Sequence, residues 1–142
     1  MPRLDRARLD AADFRVVTPI PTRYDDLDSL GHVNNAAAAV ILQEARVAFH
    51  AATGFVSLPG GLHSIVAALS IEYAGEMYFP EPIEVRSGIL QLGRTSYVIG
   101  QVAYQGGRPA LYAESVMVLT DANGPAPIPE AMRTAYEAHL IR

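Results

Sequence analysis

Apolar and polar residues alternate in short runs over most of this chain, and one segment breaks that rhythm. Phe14-Arg15-Val16-Val17-Thr18-Pro19-Ile20 has the β-branched composition of a first strand, closed by Pro21. The stretch from Thr22 to Asn35 is rich in Asp, Gly and Asn and reads as a loop. From about Asn34 to Thr53 the only strongly polar residues are Gln43, Glu44, Arg46 and His50, and Gly54 supplies a C-terminal stop. Such a segment predicts a long helix, apolar over most of its circumference and therefore buried. Gln43, Arg46 and His50 follow an i, i+3, i+7 spacing and share its polar face. Glu44 lies off that face, about 100° from Gln43. It is expected to point toward a sheet or a partner subunit, either paired with an arginine or as a supporting carboxylate. The alanines Ala36–Ala39 allow another backbone to approach closely.

Four further strands are predicted at Ser64–Tyr73, Ile83–Leu92, Thr95–Tyr104 and Ala110–Thr120. Tight connections at Gly93-Arg94 and Gly106-Gly107 make the last three an antiparallel meander. Asp121–Pro129 reads as a Pro-rich linker, and Pro129–Leu140 as a short amphipathic helix with Pro129 near its first position. Residues 1–12 are charged and read as a frayed lead-in. The order is strand, long helix, four strands: an α+β domain whose curved five-stranded antiparallel sheet wraps a central helix. The open edges of such a sheet invite a partner subunit.

Composition narrows the chemistry. At 142 residues, half of them hydrophobic and 18% charged, the chain is expected to form one domain over 1–142 with a sizeable core. The longest strongly apolar stretch, Ala36–Leu42, is too short to span a bilayer. Met1–Arg6 alternates charges with no apolar run behind it, so no signal peptide is expected and the cytoplasm is the default location. Cysteine is absent, which excludes disulfides and thiolate chemistry. All 11 basic residues are arginine, which excludes a P-loop lysine or a Schiff base. A formal charge of −4 with scattered arginines argues against nucleic-acid binding. Carboxylates, four histidines, hydroxyls and backbone groups remain.

These groups concentrate in Arg23-Tyr24-Asp25-Asp26-Leu27-Asp28-Ser29-Leu30-Gly31-His32-Val33-Asn34-Asn35, just before the long helix. A helix start carries unpaired N–H groups and a partial positive charge, and so polarises a carbonyl oxygen placed there. A nearby carboxylate can activate water or attack directly. The combination suits acyl transfer from an activated ester. Asp and Asn before a helix are also ordinary caps and turn formers. Asp25, Asp26, Asp28 and His32 offer hard metal ligands but lack the regular register of a calcium loop, so no metal is expected.

The segment Arg23 to Asn35 resembles the motif Arg-Tyr-x-Asp-x-Asp-x-x-Gly-His-Val-Asn-Asn of the 4-hydroxybenzoyl-CoA thioesterase family of hotdog-fold proteins. Glu44-Ala45-Arg46, Ile71-Glu72-Tyr73, Leu92-Gly93-Arg94-Thr95-Ser96 and Pro127-Ile128-Pro129-Glu130 resemble its later landmarks in order, so that the match covers about residues 14–137. The resemblance implies hydrolysis of an acyl-CoA or acyl-carrier-protein thioester, with no separate cofactor. It places the catalytic aspartate at Asp28, as nucleophile or general base, and the oxyanion donor at the backbone N–H of about Asn35. It also implies a homodimer, or a dimer of dimers, with the site at the subunit interface. Two departures stand out. Ala38 occupies a position where the family often has an aromatic residue, which enlarges an acyl pocket or simply eases packing. Phe79-Pro80-Glu81-Pro82 carries Glu where the family often has Asp.

Other residues keep two readings each. His32 orders the loop or serves as an acid–base group; Asn34 caps the helix or holds a water. Arg94, Thr95 and Ser96 grip a CoA phosphate or merely form a turn and start a strand; Arg86 and Arg108 are weaker phosphate candidates. His50 and His63 show no partner. Two competing functions remain: an enoyl-CoA hydratase or dehydratase using Asp28 and His32, and a non-catalytic acyl-CoA binding protein.

Overall fold

The computed structural model describes residues 3–141; Met1, Pro2 and Arg142 lie outside the described residues. Strands β1 (Val16–Ile20), β2 (His63–Tyr73), β3 (Ile83–Leu92), β4 (Ser96–Gln105) and β5 (Arg108–Asp121) form one antiparallel sheet in the order β1-β3-β4-β5-β2. These are the five predicted strands, with β3, β4 and β5 as the meander. The sheet curls around helix α2 (Asn35–Thr53). Ile41, Leu42, Ala45 and Phe49 of α2 are buried against Ile83, Val85, Ile89, Ala113 and Leu119 of the sheet. Gly54 stops the helix in the left-handed conformation, at φ 89°.

Four expectations need correction. The charged lead-in is not frayed: Arg6–Ala11 forms helix α1, capped by Asp5. Its Leu9 is fully buried with Leu90, Val102, Tyr112 and Ile141 on the outer face of the sheet. Gly100 makes this possible, since a Cβ there would lie 2.9 Å from Leu90 and 3.0 Å from Leu9. The Pro-rich linker contributes a sixth strand, β6 (Gly124–Pro125), paired with β5. The final helix α3 is shorter than predicted, Glu130–Glu137, with Pro129 as its N-cap. Lastly, α2 is not buried all round, because Val40 and Val47 are 46% and 55% exposed.

That exposed flank of α2 has a counterpart in β2. Ile65, Val66, Leu69 and Tyr73 are all exposed, and β2 is an edge strand with one neighbour, β5. Val40 and Val47 of α2 and the apolar residues of β2 are therefore left uncovered among the described residues.

Candidate active site

The loop before α2 is built by backbone hydrogen bonds that its side chains copy. A 3-10 turn at Tyr24–Asp26 turns Asp26 inward. Its buried carboxylate pairs with Arg23 at 2.7 Å, and that guanidinium holds its pKa below the usual carboxylate range. The Asp26 carbonyl accepts from Asn34 N–H at 2.8 Å. Asp26 thus holds the loop to the helix start. Asp28 has a different position on the surface. Gly31, at φ 82°, closes a tight turn in which Asp28 Oδ1 accepts from Leu30 N–H at 2.9 Å and His32 N–H at 3.1 Å. The bond from His32, supported by that from Leu30, lowers the Asp28 pKa, so this carboxylate is charged at neutral pH.

His32 and Asn34 have structural partners. The His32 ring lies 3.1 Å from Glu76, through Nδ1, and packs edge-on against Tyr78. No hydrogen bond joins the ring to the Asp28 carboxylate; the two residues meet through the backbone. Asn34 is the N-cap of α2, its side chain accepting from Ala37 N–H at 2.8 Å. Capping leaves the N–H groups of Asn35 and Ala36 without an acceptor among the described residues. Asn35 and Ala38 then line a cavity of about 290 Å³ together with Val33, Tyr73, Glu76 and Leu111. The Tyr73 hydroxyl donates to the Asn35 carbonyl at 3.2 Å. Asp28 does not line that cavity within one chain. Among the described residues no group of three or more His, Asp or Glu converges as metal ligands would.

The remaining candidates lie elsewhere. Glu44 is exposed, pointing away from the sheet, and makes no ion pair among the described residues. Its neighbour Arg46, read as part of a polar face, is buried instead and reaches Ser115 on β5. Arg94 is exposed in the β3–β4 turn with Thr95, and Ser96 starts β4; the turn's carbonyls accept from Leu119 N–H, Ile128 N–H and Arg133 of α3. That turn is at the far end of β3 from Ile83, which pairs with Ile20 just before the Asp28 loop. At ~3.3 Å per residue the separation within one chain is roughly 30 Å. Arg86 is occupied, paired with Glu84 and stacked on Tyr104. His50, without a partner in sequence, lies 2.8 Å from the hydroxyl of Tyr97.

Sequence reasoning missed Glu76, Met77 and Leu111 around the helix start. Their positions come from β2 and β5 pairing, which sets Tyr73 opposite Leu111, and from a bond between Val33 N–H and the Met77 carbonyl at 2.8 Å. A lone Glu in a Gly-containing loop carries no local signal for either contact.

A search of curated proteins gives no significant match. Solved structures are informative. The chain is 25% identical to a protein from Pseudomonas aeruginosa strain PAO1, with a TM-score of 0.81 over 89% of this chain and 92% of that one. It is 27% identical to a predicted thioesterase from Bacillus stearothermophilus, with a TM-score of 0.78 over 87% and 95% of the two chains. It is 29% identical to a Thermus thermophilus thioesterase solved with coenzyme A and Zn, again with a TM-score of 0.78, over 88% and 94%. No helix among the described residues is long and apolar enough to cross a membrane. The family model of the Thioesterase-like superfamily matches residues 22–136. By that match and its hotdog fold, the chain belongs to the Thioesterase-like superfamily.

Proposed function

We propose that this protein hydrolyses an acyl thioester of coenzyme A, or of an acyl carrier protein, with CoA part of the substrate and no resident cofactor. One observation carries the reading: the free N–H end of α2 opens on a cavity beside a loop that holds Asp28 ionised. The thioester carbonyl oxygen sits at Asn35 N–H, which takes up the charge that develops on it. As general base, Asp28 accepts a proton from water while the hydroxide oxygen bonds to the carbonyl carbon. The C–S bond then breaks, and the thiolate takes the proton. As nucleophile, Asp28 bonds to that carbon and the C–S bond breaks to release the thiolate. Water then cleaves the resulting anhydride to give the acid and restore the carboxylate, its proton passing to the thiolate. The coenzyme A bound to the Thermus relative supports this substrate class. The test is thiol release from benzoyl, phenylacetyl and short, medium and long aliphatic CoA esters, with Asp28→Asn run in parallel. Binding without thiol release from any ester overturns it.

The active unit in this reading is a homodimer. The exposed edge of β2 and the flank of α2 supply the apolar surface for a second copy. Antiparallel pairing of two β2 strands brings the Arg94 end of one chain to the Asn35 end of the other, so Arg94, Thr95 and Ser96 reach CoA only across the interface. Mixing inactive Asp28→Asn with a CoA-weakened Arg94→Ala variant should then restore turnover through sites with both native residues. Purely additive activity rules the shared site out. The hydratase reading loses support because the His32 ring faces Glu76 and not Asp28.

A further inference from the structure

The end of β2, where it pairs with β5, serves two surfaces at once. Glu72 stands opposite Tyr112, and the next rung sets Tyr73 opposite Leu111. Successive side chains of a strand point to opposite faces, so these two rungs face opposite ways. Tyr73 and Leu111 line the cavity at the start of α2, and the Tyr73 hydroxyl donates to the Asn35 carbonyl at 3.2 Å. Beyond Tyr73 the same segment supplies Ala74, Gly75, Glu76 and Met77 to that cavity. Tyr112 lies instead on the outer face, in one cluster with Leu9.

Helix α1 and the residues before it grip the outer rung. Leu4 N–H donates to Glu72 Oε2 at 2.7 Å and Arg6 Nε to Glu72 Oε1 at 2.6 Å, so both carboxylate oxygens are taken. The Arg6 guanidinium also lies 5.0 Å over the Tyr112 ring, and the Tyr112 hydroxyl donates to Asp10 at 2.7 Å. The bond from Leu4 N–H, then that from Arg6, holds the Glu72 pKa below its ordinary value, so the carboxylate is charged at neutral pH. α1 is itself anchored on the middle of the sheet. Arg8 donates to the Leu90 carbonyl of β3 at 3.0 Å, and Leu9 fills the space above Gly100 of β4. An edge strand with one neighbour opens more readily than a central one. The clamp ties the end of β2, held within one chain by β5 alone, to β3 and β4. Glu72 points to the outer face, away from the edge that pairs with a second copy in the proposed dimer. α1 lies outside residues 22–136, so the part shared with the superfamily does not supply this support.

We infer that Glu72 is a positioning residue for the reaction proposed above: α1 clamps it on the outer face, and Tyr73–Met77 are thereby held against the start of α2. Glu72 does not line the cavity and acts through Tyr73. Its consequence for turnover rests on the hydrolytic reading; the coupling between α1 and the helix start does not. Without the clamp Tyr73 moves off the Asn35 carbonyl, and a small displacement at a reacting centre costs rate more than binding.

Amide hydrogen exchange of the full chain, wild type beside Glu72→Ala, tests the coupling without turnover. The bonded N–H groups of Val33, Ala38, Ala74 and Gly75 report on the helix start and the end of β2. Their exchange should rise about tenfold in the variant, from the loss of bonds to a charged group, while residues 46–53 exchange as in wild type. In thiol release from octanoyl-CoA, kcat should fall about tenfold with KM within about twofold. Arg6→Met, at an exposed position, should act in the same direction by about threefold, and Arg6→Lys should stay near wild type. That pair keeps the test sound if Glu72→Ala fails to fold. Wild-type exchange at Ala38, Ala74 and Gly75 in a folded Glu72→Ala overturns the inference. So does an equal rise over residues 46–53, the mark of a general loss of stability. Raised exchange at the helix start with wild-type kcat overturns the role in the reaction. If the wild-type chain releases no thiol from any ester, the hydrolytic reading fails, and the exchange pattern still decides the coupling.

Discussion

The two halves of α2 attract negative charge by different means. At its start, unpaired backbone N–H groups present a partial positive charge, next to a small cavity and an ionised aspartate. Eleven residues after Asn35, Arg46 presents a full charge to a larger cavity lined by no carboxylate among the described residues. A partial charge suits an oxygen whose charge appears only during reaction, because it favours the transition state over the ground state. One helix therefore presents a partial charge at its start and a full, buried charge in its second half, and the difference lies in which donors fold where.

The largest expected effect breaks the reactive half. Asp28→Asn keeps the turn, because an amide oxygen can accept the same N–H groups, but removes the base; thiol release should fall ~10²–10⁴-fold. Normal turnover would remove Asp28 from the mechanism.

The other half should respond to pH. The folded pKa of His50, about 4 against an ordinary 6.5, means that between those values the unfolded chain binds the extra proton. Its contribution to stability is complete above pH 6.5 and is lost as pH falls toward 4, on the order of 3 kcal/mol in all. Urea unfolding at pH 7 and pH 4.5 should show that component in the wild type and not in His50→Gln.

Smaller effects sharpen the contrast. Ala38 is 1% exposed and lines the 290 Å³ cavity, so Ala38→Phe should fill it. Turnover of octanoyl or benzoyl esters should drop about tenfold relative to acetyl, at ~1–3 kcal/mol of stability seen in thermal unfolding. Unchanged selectivity would show that acyl groups lie elsewhere. Glu44→Gln should matter least, within about 0.5 kcal/mol in chemical unfolding, because the carboxylate is exposed and unpaired among the described residues. A clear loss of turnover there would place Glu44 at a site completed by a second copy.

Much of this was legible from local pattern. The β-branched runs marked the five main strands, and Gly54 and Asn34 marked the ends of α2, because backbone preference and capping act over a few residues. The loop motif pointed to the family for the same reason: Gly31, Asp28 and Asn34 each satisfy hydrogen bonds within their own turn. Charge in residues 1–12 misled, since Leu9 packs into a space left by Gly100 and the charged Arg6, Arg8 and Asp10 bond to Glu72, Leu90 and Tyr112, all far along the chain. Arg46 misled as well. Helical spacing grouped it with Gln43 and His50, yet only the curl of the sheet determines which side of a helix meets water.

The sequence by itself determined the elements, their order and the loop that places Asp28 before a helix start, because these depend on neighbours within about one turn or one strand. The tertiary structure alone decided that Asn35 and Ala38 share a cavity with Tyr73 and Leu111, and that Arg94 stands at the opposite end of the sheet. It alone left Arg46 buried with no carboxylate in reach among the described residues. Those outcomes depend on strand register and sheet curvature, which join residues dozens of positions apart and leave no trace in local pattern.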